Sequence, residues 1–225
     1  MTTQLEALIT QISKIPDSEF AEYRGGWPDQ IGTALVDAVF SIRAKYDAKN
    51  EALGVLGRTR TLIKAHPEVA DDLQALVDLG AGEIESFMTS AVSSGRRKSA
   101  CVVEAAQNLL DLTPQVRTAS DITEGVEDLD ARVRDVRRAY RRVHGLGGVT
   151  AEYFTMLLGI PGVKPDRMIL EFVNRSLRTA GLKRVDTARA RALVEEAFEA
   201  IGRGDSLTHF DHAIWRTKGE LVPTD

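Results

Sequence analysis

The stretch Val143-His144-Gly145-Leu146-Gly147-Gly148-Val149-Thr150-Ala151 lies between two segments of helical periodicity. Before it, residues 129–142 read LDARVRDVRRAYRR, with Leu129, Val133, Val136 and Tyr140 at the spacing of an inward apolar stripe. Six arginines, at 132, 134, 137, 138, 141 and 142, are expected on the outer faces of that helix. After the stretch, a second helix is predicted from Thr150 to about Leu158. Glycines at a helix start permit positive φ and let backbone N–H groups face outward. Those donors, with the positive end of the helix dipole, suit an anion such as a phosphate. A tight connection between two helices has the same composition, so the turn is decided by its surroundings.

Outward from this turn the periodicity stays helical. Leu5, Ile9, Ile12 and Ile15 open the chain at helical spacing, and Asp29 is expected to cap a helix with Ile31, Leu35, Val39 and Ile42 as its stripe. Further helices are predicted after Asn50, after Pro67 and near Gly82. No run alternates apolar and polar residues, so an all-α chain without a sheet is expected. The segment SSGRRKS, residues 93–99, reads as a solvated polar turn, with a phosphate contact as the alternative. Cys101 follows on an apolar helical face and reads as a small core residue.

Composition narrows the class. The 43% hydrophobic and 28% charged residues are those of an ordinary globular domain, and 225 residues suffice for a real core. One cysteine excludes an internal disulfide and any cysteine-based cluster. The apolar runs are too short to span a bilayer, and MTTQLEALITQ has no basic segment leading into an apolar one, so a cytoplasmic chain is expected. The net charge of −4 conceals an asymmetry: residues 1–130 carry 12 basic and 21 acidic side chains, residues 131–225 carry 17 and 12. A polyanion would meet the second part first.

Downstream of the turn comes VKPDRMILEFVNR, residues 163–175, with Asp166 seventeen residues after Val149. Pro165-Asp166 is a natural helix entry, and Asp166 can serve as its cap. Together these segments resemble the endonuclease III-like helix-hairpin-helix (HhH-GPD) DNA glycosylases, whose hairpin reads Leu-Pro-Gly-Val-Gly-x-Lys-Thr-Ala. Gly145, Gly147, Thr150 and Ala151 agree with that pattern, while His144 replaces the proline. The family's Val-Asp-Thr-His-Ile-x-Arg-Val-x-Asn-Arg is matched by Asp166, Ile169, Val173, Asn174 and Arg175, while Arg167 and Met168 replace Thr-His. FDHAIWR, residues 210–216, resembles the last family helix, and His212 and Trp215 there read as residues closing the core. In LVDAVFSIRAKYD, Ser41 matches and Arg43 replaces the family's DNA-directed glutamine; Arg43 either fills the space of a flipped base or pairs with Asp47.

The resemblance implies a two-lobed helical fold with the base pocket in the cleft: residues 30–160 with the hairpin at 143–151 as one lobe, 1–29 with 161–225 as the other. It implies that Asp166 is the catalytic carboxylate of base excision. Gly145, Gly147, Gly148, Val149 and Thr150 of the hairpin, with Arg141, Arg142 and Lys164, are the expected DNA contacts. Arg43, Trp27, Tyr46 and Tyr23 are candidates for the base pocket, with Trp27 alternatively a loop anchor. Lyase members carry a Schiff-base lysine where this chain has Val149, so a monofunctional enzyme leaving an abasic site is expected. No iron–sulfur cluster is expected, and a monovalent cation at the hairpin is compatible with the pattern. The expected partner is double-stranded DNA with a flipped, damaged or modified base, bound by a monomer without a membrane. The competing readings are a DNA-binding protein that has lost excision, and a glycosylase acting on hypermodified foreign DNA.

Overall fold

Helix α3, Ile31–Phe40, has all ten of its residues buried, because IGTALVDAVF carries almost nothing that requires water. A helix apolar on every side is stable only when other helices surround it. The computed structural model describes residues 2–21, 26–44 and 54–221. Over these the chain is mostly helical: α1 Gln4–Ile12, α2 Asp17–Ala21, α3, α4 Val55–Ala65, α5 Leu73–Phe87, α6 Lys98–Leu110, α7 Ser120–Thr123, α8 Leu129–Arg141, α9 Gly148–Leu157, α10 Arg167–Thr179, α11 Thr187–Ile201 and α12 Leu207–Arg216. Among the described residues no helix is long and apolar enough to cross a membrane.

The chain divides into a central unit, Gly26–Ile160, and a terminal unit made of Met1–Gly25 and Pro161–Asp225. In the central unit α3 packs against α4, α6 and α9, and α5 lies along α6. Gly80, at φ 80°, breaks the helical path inside α5. The start of α3 is not capped by Asp29 as expected: Gln30 is the cap residue, and its side chain accepts no backbone N–H of the helix. The carboxylate of Asp71, forty residues on, receives the Ile31 N–H at 3.0 Å instead. A second correction concerns strands. Val92–Ser93 and Arg96–Arg97 form a two-stranded antiparallel ladder, β1 and β2, too short for alternation to register in the sequence.

In the terminal unit α10 is strongly two-faced, burying Ile169, Phe172, Val173 and Leu177. These meet Leu8 and Ile12 of α1, Leu193 and Val194 of α11, and Phe210 and Ile214 of α12. Arg203 fastens the unit's edge: its guanidinium lies 4.1 Å from the Phe20 ring centre and donates to the carbonyls of Ile12 and Ile15.

Candidate functional site

Asp166 is the N-cap of α10, with extended backbone at φ −79° and ψ −174°. Its Oδ1 accepts the N–H groups of Met168 at 2.7 Å and Ile169 at 3.2 Å. These are two of the donors that a helix start leaves unpaired. Its Oδ2 accepts the indole Nε1–H of Trp215, from α12, at 3.1 Å. The carboxylate is half-buried, so it is held in one orientation and still reaches the surface. Beside it, the Trp215 ring stacks on His212 with centres 5.9 Å apart. Burial first, then the charges of Arg216 and His209, lower His212 to about 4; the imidazole is uncharged at neutral pH. Lys164 contributes through its backbone, its carbonyl accepting from the Asp166 N–H and its N–H donating to the buried Asp211 carboxylate at 3.2 Å.

In the central unit α8 and α9 are joined by the predicted turn. Buried Tyr140 and Phe154 stack at 5.5 Å beneath it, and Val143 and Leu146 turn inward. Gly147 is the cap residue of α9 and provides no side-chain bond. The first N–H to bond back into the helix is that of Ala151, to the Gly147 carbonyl, and the Thr150 hydroxyl donates to the same carbonyl at 3.0 Å. The helix start therefore presents backbone donors without a capping side chain, as an anion requires. Gly147 and Gly148 are exposed, and Val149 and Thr150 are half-exposed. The positive φ falls on Gly145, at 94°, whereas Gly147 has φ −105°. A Cβ at Gly145 would stand 3.0 Å from the Ser93 carbonyl oxygen, and Ser93 Oγ donates to the Gly145 carbonyl at 3.1 Å.

The arginines of α8 do not all face outward. Arg132 is buried and donates to the carbonyls of Pro114, Gln115 and Asp121. Arg137 pairs with the buried Glu152 at 2.9 Å and donates to Thr155. Burying a guanidinium demands several fixed acceptors, and α7, α9 and the loop after α6 provide them. Arg134, Arg138, Arg141 and Arg142 are exposed. Of these, Arg138 pairs with Asp135.

The pocket candidates separate. Trp27 is an anchor: its Nε1–H donates at 2.9 Å to Asp37, a carboxylate wholly buried in α3. Arg43 lies past the end of α3 in a turn, exposed, at φ 50°. Tyr23, Tyr46 and Asp47, the proposed partner of Arg43, lie outside the described residues. The segment at 93–99 is not a solvated loop throughout. Lys98 is buried, and its Nζ donates to the carbonyls of Phe40 and Ile42. Trp215 and Ser93 escaped the sequence reading as neighbours of Asp166 and Gly145, since both contacts join distant parts of the chain.

Residues 4–219 match the family described as Domain of unknown function (DUF8548), and the chain belongs to that family. No curated protein matches the sequence.

Proposed function

We propose that this protein is a monofunctional DNA glycosylase that hydrolyses the N-glycosidic bond of a damaged or modified base and leaves an abasic site. The observation that carries the reading is the Asp166 carboxylate, held by two backbone N–H groups and one indole N–H. In the sequence it follows the turn between α8 and α9 at the spacing of the helix-hairpin-helix glycosylases that these segments resemble. As a base departs, positive charge builds on the deoxyribose. A fixed carboxylate stabilises that charge and orients the water whose oxygen bonds to C1′. The uncapped start of α9 and the exposed Arg141 and Arg142 supply phosphate contacts, which position the duplex without reading its sequence. With Val149 at the lysine position, water rather than an amine is the nucleophile.

The test is a panel of duplex oligonucleotides carrying alkylated, oxidised, deaminated or hypermodified bases, each treated with alkali after reaction to reveal abasic sites. Asp166→Asn is expected to lower single-turnover release by about 10²–10³-fold while DNA retention persists, since asparagine caps a helix as well as aspartate. Borohydride is expected to trap no covalent protein–DNA adduct. A variant with native turnover would reduce Asp166 to a helix cap and favour a DNA-binding protein without excision.

A further inference from the structure

The N-cap bonds engage one oxygen of Asp166, and they would be made equally well with the other oxygen swung elsewhere. That second oxygen is fixed from far along the chain: Trp215, forty-nine residues on, donates to Oδ2 at 3.1 Å. The indole has little freedom of its own. Its helix α12 is seated by Phe210, Ala213 and Ile214 in the same core as Ile169 and Phe172 of α10. One of its faces stacks on His212 at an interplanar angle of 16°. A carboxylate offers about four lone-pair positions; among the described residues two on Oδ1 and one on Oδ2 are taken, and one on Oδ2 is left.

We propose that Trp215 is the positioning residue of the Asp166 carboxylate, determining which lone pair is offered to the reacting sugar and its water. The proposal rests on the glycosylase reading for its chemistry, but the coupling of the two side chains is measurable without catalysis. An indole N–H is suited to the task, because it donates one bond and accepts none, so it orients the carboxylate without taking its proton. The uncharged His212 completes the arrangement by stacking on the indole without adding a cation that would compete for the same oxygen.

The experiment follows the two indole N–H resonances of the full chain by proton–nitrogen NMR, assigned with Trp27→Phe and Trp215→Phe. In Asp166→Asn the Trp215 resonance is expected to move, because the acceptor of its N–H is replaced, while that of Trp27 stays. Trp215→Phe keeps an aromatic ring and removes the donor. It is expected to speed amide exchange at Met168 and Ile169, and to lower kcat about tenfold or more with KM unchanged. A Trp215 resonance indifferent to Asp166→Asn overturns the proposal, and so does a Trp215→Phe protein with native kcat. The asparagine variant leaves both tryptophans in place, so the test survives if Trp215→Phe fails to fold. Should the native chain release no base from any duplex of the panel, the glycosylase reading falls. The resonance and the exchange rates then decide the pairing by themselves.

Discussion

Lys98 Nζ donates to the carbonyl oxygen of Phe40 at 3.0 Å, from the first residue of one helix to the last residue of another. It also reaches the Ile42 carbonyl, at 2.6 Å. The ammonium thus caps the negative end of α3, where the last carbonyls of a buried helix would otherwise go unpaired. Burial lowers the Lys98 pKa, and the two carbonyls are what make the buried amine tolerable. The turn they hold carries Arg43 at positive φ. Lys98→Met keeps most of the stem and removes both bonds. It is expected to cost about 2–3 kcal/mol, read as a lower urea midpoint at unchanged slope. A midpoint equal to the native one would mean that water replaces the ammonium.

The glycines of the hairpin are predicted to behave differently from one another. Gly145→Ala places a Cβ at positive φ and 3.0 Å from the Ser93 carbonyl oxygen, so it should destabilise the fold by about 1–3 kcal/mol. Gly147 has ordinary extended φ and open space around a built Cβ. Gly147→Val should leave stability within about 1 kcal/mol and yet weaken DNA retention, by crowding the phosphate approach. Thermal melts and filter retention on the same preparations separate these outcomes. Native DNA affinity in folded Gly147→Val would take the hairpin out of the interface.

Arginines of one helix should divide along the same line. Arg141 and Arg142 are exposed. Their joint replacement by alanine should lower the magnitude of the salt slope of DNA binding by about two units if each meets one phosphate. Arg137→Ala should instead damage the fold by about 3 kcal/mol, because it removes the cation from the buried Glu152 carboxylate. Log affinity against log salt, beside chemical denaturation, tests both. An unchanged slope in the double variant places its two side chains in solvent.

Acid should weaken the terminal unit through His212. Its pKa falls from 6.5 to about 4 on folding, so the unfolded chain takes up the proton first as pH drops. The neutral ring's full contribution to stability is present above pH 6.5 and is lost progressively down to about pH 4. His212→Phe retains a stacking ring and should flatten the stability profile over that interval. A variant as acid-sensitive as the native chain would assign the loss to carboxylates instead.

Much of the helical framework was legible because helices are local. The α8 stripe of Val133, Val136 and Tyr140 repeats within a few residues, although Leu129, expected to lead it, stands exposed at the first turn; Asp166 caps α10 through N–H groups two and three residues away. The absence of an amine at Val149 is likewise a property of the sequence alone. The expected cap at Asp29 failed because the Ile31 N–H finds Asp71 across the fold, a choice that no window around Asp29 contains.

Tertiary structure decided which polar side chains are spent inside the protein. Arg132 and Arg137 are spaced along α8 like their exposed neighbours, and only the carbonyls and the carboxylate packed against them turn them inward. The Lys98, Ser93 and Trp215 bonds span 58, 52 and 49 residues respectively. Sequence periodicity fixes which face of a helix is buried, since that follows from 3.6 residues per turn. It cannot specify which distant donor meets a given oxygen, because that pairing exists only after the cores have packed and removed water from both groups.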